Sequence, residues 1–394
     1  MINMQDMNLK NKTVILRCDY NVPIEDGLIT DDTKIKASFE TINYLIENNC
    51  KIIILSHLGR VKTVEDKSKN SLKIVYNYLK DNLNVNTYFV EDNTNPLLKE
   101  YIDKLANPSI VLLENTRYTD IPDKKESICD EELSKFWSSL GDVFVLDAFA
   151  SAHRKHSSTY GISNYIPSCV GFLVQKEVRM LNNIVNNERH PFTIIMGGAK
   201  VDDKLILLRS LLKKCDYILI GGGMANSFLK AQGHEIGKSL VTDNEDILNE
   251  LREYLDIYKE KINLPTDFIC IDVNGKIVQK NLSELTSDDT IYDVAKDSID
   301  KYEGIINNSE LIFMNGTMGL YQDERFQAGT VELLKKLISK KNITYVGGGD
   351  GVASIKQLGF GDYFLNLSTG GGATLDYIAN GNLIALENIG AKNE

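Results

Sequence analysis

Short runs rich in Val, Ile and Leu recur along the whole chain, and nearly all of them end in a polar or glycine cluster. In the first half they are Thr13–Arg17, Lys51–Ser56, Thr87–Glu91, Ser109–Glu114 and Val143–Asp147. In the second half they are Phe192–Met196, Tyr217–Ile220, Asp267–Asp272, Leu311–Met314, Ile343–Val346 and Phe364–Leu367. None alternates cleanly between apolar and polar positions, as expected of parallel strands covered on both faces. Stretches with helical spacing separate them, among them Thr33–Asn48, Glu131–Leu140, Lys204–Lys214 and Thr330–Lys340. Strand–helix–strand alternation predicts an α/β fold with parallel sheets.

A length of 394 residues suits two or three domains at roughly 150 residues each. Glycine usage marks the division: five of the 28 glycines (27, 59, 141, 161, 171) precede residue 190 and 23 follow it. Gln175–Asn187 has the spacing of a helix bridging these unlike halves. The expected architecture is two Rossmann-like domains, each a parallel sheet sandwiched by helices, joined by that hinge helix. The first domain spans 1–172, and the second, with the hinge helix, spans 173–379.

Ligands of open α/β sheets sit beyond the carboxyl ends of the strands. In the first half those ends carry charged side chains: Arg17, Asp19 and Asn21; His57 and Arg60; Glu114 and Arg117; Asp147 and then His153, Arg154, Lys155 and His156. Only nine of the 44 basic residues are arginine, yet Arg17, Arg60, Arg117 and Arg154 all fall at or just beyond strand ends. A guanidinium fork matches phosphate and carboxylate geometry in a way that lysine does not. A small polyanionic ligand is expected on this half. In the second half the ends are bare backbone: Gly197-Gly198-Ala199-Lys200, Gly221-Gly222-Gly223, Asn315-Gly316, Gly347-Gly348-Gly349-Asp350 and Ser368–Gly372. Glycine turns admit a phosphate or a flat ligand to the backbone and to a helix N-terminus. With Lys200, Lys204 and Asp350 alongside, they read as a nucleotide site with Asp350 available for Mg²⁺. An anion-binding half and a nucleotide-binding half imply phosphoryl transfer, which asks of a protein alignment, charge neutralisation and exclusion of water. Closure of two domains about a hinge would provide all three.

Composition narrows the picture further. A net charge of −11 argues against a general nucleic-acid binder, and no apolar run is long enough to span a membrane. The N-terminal segment lacks the pattern of a signal peptide, and the six scattered cysteines form no C-x-x-C pair. A cytoplasmic enzyme with reduced thiols is expected. Two motif near-misses are set aside. Gly233–Ser239 is one residue short of a P-loop and reads as a surface turn. In Gly347–Val352, Val352 stands where the dinucleotide fingerprint needs its last glycine, which argues against a nicotinamide-dependent dehydrogenase.

Nine segments, in order, resemble the phosphoglycerate kinase family: Arg17–Pro23, Ser56–Arg60, Leu112–Arg117, Asp147–Ser158, Gly197–Lys204, Gly221–Ala225, Asn315–Gly319, Gly347–Asp350 and Ser368–Gly372. The resemblance implies reversible transfer of a phosphoryl group from 1,3-bisphosphoglycerate to ADP, giving 3-phosphoglycerate and ATP in glycolysis. It implies that Asp19, Asn21, Lys34, His57, Arg60, Arg117 and Arg154 bind the phosphoglycerate. Lys34, Lys200, Gly371 and Gly372 would serve the transferring group. Gly197, Ala199, Lys204, Gly221, Gly222, Asn315, Gly319, Gln322, Gly348, Gly349 and Asp350 would hold the nucleotide, with Asp350 on Mg²⁺. It also implies a monomer with a C-terminal tail, 380–394, returning to the first domain; that neither nucleic acid nor membrane is a partner is expected from the net charge and the lack of an apolar span.

The chain departs from the family pattern at several positions. Lys34 stands where the family has an arginine that contacts the transferring group, so the charge is kept but the two-pronged contact is not. Met314 and Thr317 replace a Trp and a Pro, and Gln322 replaces a Glu on the ribose. Leu146 replaces an Asn, and Gly351 a Ser or Thr. Two readings follow from these residues: an active kinase, or a weakened paralogue acting as a binding or scaffold protein.

Overall fold

The computed structural model describes residues 1–391. It divides into two compact units, Met1–Arg179 with Asn382–Glu394, and Met180–Gly381. The division falls within the helix Phe172–Val185, at the place where the sequence suggests a bridging helix. Of the expected tail, 392–394 lie outside the described residues. The preceding helix Ile384–Ala391 belongs to the first unit, where Ala385 N–H donates to the Ala152 carbonyl and the Asn388 amide donates to Tyr160, Ser163 and Asn164.

The first unit contains β1 (Thr13–Cys18), a small hairpin of β2 (Ile24–Glu25) and β3 (Leu28–Ile29), β4 (Lys51–Leu55), β5 (Asn86–Val90), β6 (Ser109–Leu113), β7 (Val143–Asp147) and β8 (Ser168–Val170). Its main sheet is parallel, in the order β5-β6-β4-β1-β7-β8. Every residue of β4, β6 and β7 is buried, as in a parallel sheet covered on both faces; the polar Lys51 and Asp147 at strand ends bond to backbone groups, Lys51 donating to the carbonyls of Ile102 and Asp103 and Asp147 accepting from Val174 N–H. The edge strand β5 is half-exposed throughout its apolar part. Trp137, the only tryptophan, is fully buried on the helix Glu131–Ser138, and its indole N–H donates to the Asn93 carbonyl at 2.9 Å. The expected single helix Thr33–Asn48 is two, Thr33–Ala37 and Phe39–Glu47. They part at Ser38, whose hydroxyl donates to the Ile35 carbonyl and faces the Tyr20 hydroxyl, competing with the helical ladder.

The second unit contains β9 (Phe192–Met196), β10 (Tyr217–Ile220), β11 (Ile262–Asn263), β12 (Asp267–Ile271), β13 (Ile277–Asn281), β14 (Thr290–Val294), β15 (Leu311–Asn315), β16 (Thr344–Val346) and β17 (Asn366–Leu367). Its main sheet is also parallel, in the order β11-β10-β9-β15-β16-β17. The Tyr302 hydroxyl ties a flanking helix to this sheet by donating to the carbonyls of Ile220 and Asn263. One expectation fails here. Asp267–Asp272 is not a parallel strand of this sheet: β12 is the middle of a separate antiparallel sheet, β13-β12-β14. The cause is the Asn274-Gly275 turn, in which Gly275 takes a positive φ of 74° and folds β13 back on β12 as a hairpin. The β13 strand then alternates half-buried and exposed positions, as a sheet with one wet face does.

Candidate active site

Parallel register sets both sites by levelling the strand ends. In the first unit Arg17 pairs with Leu55 and Cys18 with Asp147, so the loops carrying Asp19, His57 and the 147–156 segment leave the sheet side by side. Asn21, His57, Arg60, Arg117 and Arg154 all line one cleft of about 840 Å³, together with Lys62 and Lys124. Backbone contacts lock these loops to one another. Asn21 accepts from Gly59 N–H at 2.8 Å, Arg117 donates to the Gly59 carbonyl at 2.7 Å, and Asn115 donates to the carbonyls of Leu58 and Asn70. Arg60 and Arg154 are exposed and Arg117 is half-buried, so three guanidinium groups are open to a ligand.

Arg17 behaves differently from the other three arginines. It is 1% exposed and does not line the cleft. Its Nε donates to Ser158 Oγ at 2.8 Å, one Nη donates to the Cys18 carbonyl, and the other lies 3.1 Å from His57 Nδ1. A guanidinium has only donors, so His57 Nδ1 accepts and the ring proton resides on Nε2. Burial and the Arg17 charge push the His57 pKa well below the usual imidazole value, against the pull of Asp19, so this ring is neutral near pH 7. Asp19 pairs with Lys34 at 2.8 Å and accepts from Asn21 N–H. Burial raises the Asp19 pKa, but the Lys34 charge, with the hydrogen bonds from Lys34 and Asn21 N–H, outweighs it and holds the carboxyl below its ordinary range.

In the second unit Met196 lies opposite both Ile220 and Asn315, and Val346 lies opposite both Met314 and Leu367. The next residues, Gly197, Gly221, Gly316, Gly347 and Ser368, therefore stand along one edge. The order of the strands reverses between β9 and β15, the place where such sheets open a crevice. Across it Gly197 N–H donates to the Asn315 carbonyl and Gly198 N–H to the Thr317 carbonyl. A Cβ at Gly197 would lie 2.0 Å from the Thr317 oxygen, so only glycine fits. Lys204 bridges the same two loops, donating to the carbonyls of Gly197 at 2.5 Å and Asn315 at 3.1 Å. Burial lowers its pKa to about 8 despite Asp350 nearby.

Beside this crevice lies a cleft of about 400 Å³, lined by Ala199, Gly222, Gly319, Gln322 and Asp350 among others. Gly221, Asn315, Gly348 and Gly349 shape the adjoining turns. The Asn315 amide donates to the Gly347 carbonyl at 3.0 Å, and Gly348 takes a φ of 85° immediately before the helix Gly349–Gln357. Lys200 is exposed on the turn after β9, and Gly371, with a φ of 55°, caps the helix Gly372–Asn380. Sequence reasoning missed Asn226, Lys238, Leu240 and Thr290–Tyr292, which also line this cleft. Lys238 belongs to the segment set aside as a surface turn, and Thr290–Tyr292 come from the antiparallel sheet that the strand pattern did not resolve. The Asn274-Gly275 hairpin signal could have exposed the second omission.

An arginine-lined cleft on one α/β unit and a glycine-lined cleft on the other place the chain in the class of phosphotransferases. Comparison with known proteins narrows the class. A profile described as Phosphoglycerate kinase matches residues 4–381. The phosphoglycerate kinase of Mycoplasmoides gallisepticum is 42% identical over 408 residues, covering 99% of this chain and 98% of that one. That of Macrococcus caseolyticus is 40% identical and covers 99% of each. The solved structure of phosphoglycerate kinase from Coxiella burnetii superposes with a TM-score of 0.87 at 33% identity, covering 99% of this chain and 98% of that one. The chain belongs to the phosphoglycerate kinase family.

Gly348→Ala tests the geometry of the glycine edge. The added Cβ would sit 2.3 Å from Asn315 Nδ2 at a φ that alanine rarely adopts. Urea unfolding should show a loss of about 1–3 kcal/mol, whereas Gly349→Ala, which meets nothing within 4 Å, should be nearly silent.

Proposed function

We propose that the chain catalyses reversible phosphoryl transfer between 1,3-bisphosphoglycerate and ADP, giving 3-phosphoglycerate and ATP, as a cytoplasmic monomer that needs neither nucleic acid nor membrane. The observation that carries this reading is the contrast between the two clefts, guanidinium and imidazole on one unit and backbone amides with lysine on the other. No helix among the described residues is long and apolar enough to cross a membrane.

In this reading Arg60, Arg117 and Arg154 grip phosphate and carboxylate oxygens as forks, while His57 Nε2–H and Asn21 supply neutral hydrogen bonds. Asp19 holds Lys34, whose amine faces the transferring group. On the other unit Gly197, Ala199, Gly221, Gly222, Gly319, Gly348 and Gly349 let the nucleotide reach the backbone, Asn315 fixes the turn beside it, and Gln322 accepts from the ribose. Lys204 offsets phosphate charge, and Lys200 with the helix end at Gly371–Gly372 steadies the moving group. Asp350, an exposed carboxylate, fits Mg²⁺, which is usually held by one or two carboxylates, water and the phosphates themselves. When bound, that ion would neutralise charge on the β- and γ-oxygens. The reading also holds that the two ligands meet by movement about the helix Phe172–Val185.

A coupled assay with 3-phosphoglycerate and MgATP tests the proposal. Turnover supports it, and none at saturating concentrations of both would leave a binding protein instead. Lys34→Ala should lower kcat by about 10³ or more, the scale of a lost cationic finger, while Lys34→Arg should keep or raise it. An unchanged kcat in Lys34→Ala would transfer the role to another cation such as Lys36.

Lys204 sets a pH dependence. Its amine is charged below about pH 8 in the ligand-free protein and loses its proton above that. Nucleotide affinity should hold below pH 8 and then fall by up to about tenfold per unit. Lys204→Gln should bind more weakly and with a flat profile between pH 7 and 9.

A further inference from the structure

The buried carboxylate of Glu126 has no place in the roles above. It lies on the loop before the helix Glu131–Ser138 and is 1% exposed. Its two oxygens accept from one residue, Ser158: Oε1 from the hydroxyl at 2.5 Å and Oε2 from the backbone N–H at 3.0 Å. With its proton committed to Glu126, the Ser158 oxygen is left as an acceptor, and Arg17 Nε donates to it. Arg17 in turn donates to His57 Nδ1. Glu126, Ser158, Arg17 and His57 thus form one directed chain of hydrogen bonds from a buried anion to a ring that lines the 840 Å³ cleft.

We propose that Glu126 is a positioning residue for phosphoglycerate: through Ser158 it fixes the Arg17 guanidinium, and Arg17 fixes His57 as the tautomer that presents Nε2–H to the ligand. The inference rests on the reading of this cleft as the phosphoglycerate site. Three features of the geometry favour it. Direction is forced at each link when Glu126 is ionised, because carboxylate oxygens only accept and guanidinium nitrogens only donate; burial raises the Glu126 pKa, and the Arg17 charge and the two bonds from Ser158 oppose that rise. The fully buried Arg17 charge needs a nearby anion, and Glu126 and Asp19 are the carboxylates that pull its pKa back up against burial. Finally, Glu126 does not line the cleft, and its hydrogen-bonded route to His57 runs through Ser158 and Arg17, beside a direct charge attraction to Arg117. The charged groups around His57 are Arg17, Asp19, Arg117 and Lys34, and those around Glu126 are Arg17, Asp120, Arg117 and, at 3.9 Å, His156.

Two variants break the chain at different links. Glu126→Gln removes the anion and offers Ser158 a donor where it had an acceptor. Ser158→Ala keeps the anion and deletes only the bridging hydroxyl. Both, in the full-length enzyme, should raise the KM for 3-phosphoglycerate by about tenfold, the scale of one charge-assisted hydrogen bond, with kcat changed less than twofold. The KM for MgATP should stay fixed. Nitrogen-15 NMR of the His57 ring should show a single Nε2–H tautomer in the parent protein at pH 7.5 and a mixture in both variants. This readout needs no turnover, so it remains decisive if the assay of function fails. An unchanged His57 spectrum in either variant, or an altered spectrum with an unchanged KM, would overturn the proposal.

Discussion

Parallel strands held in register stop at a common level, and beyond that level the backbone groups of each strand must find partners outside the sheet. This constraint organises both units. In the second unit the groups at and beyond the ends of β9 and β15 bond to each other, Gly197 to Asn315 and Gly198 to Thr317, which leaves no room for a side chain at Gly197 or Gly316. In the first unit the same need is met by side chains, with Asn21, Asn115 and Arg117 each bonding to the main chain of a neighbouring loop. One solution leaves bare amides and the other leaves charged groups, and the two chemistries follow from that difference.

Charge concentrated in a small space has to be balanced, and the two units balance it differently. Around the first cleft the buried Glu126 and Asp19 lie behind the cations and offset them without facing the opening. Repulsion among the cations remains: Arg154 and Arg17 both lower the pKa of Arg117, after burial. A dianionic ligand would relieve that repulsion. In the second unit Lys204 is neutralised only in part, by carbonyl dipoles and by Asp350, and burial leaves its proton loosely held.

Much of this was legible from residues alone. The apolar runs locate nearly every strand of the two main sheets because burial on both faces removes polar positions from them. The cations at strand ends locate the first cleft, since Asn21, His57, Arg60, Arg117 and Arg154 converge as their positions suggest. Other features depend on pairing, which one strand at a time cannot reveal. The antiparallel sheet, and with it Thr290–Tyr292 at the second cleft, depends on a hairpin signal at Asn274-Gly275. Arg17, like Arg60, is a cation near a strand end in the sequence, yet it lies within β1 and turns inward because a buried acceptor awaits it at Ser158, which is 141 positions away along the chain.

The lone indole of Trp137 has a practical meaning. Its N–H is bonded to Asn93, whose amide donates in turn to the carbonyls of Glu114 and Asn115, the residues that lead into Arg117. The protein therefore carries a single indole, which red-edge excitation separates from its tyrosines, housed in the first unit and two hydrogen bonds removed from a cleft-lining loop. Its emission reports on that unit alone, so an optical melt compared with a circular dichroism melt separates the two halves without any label.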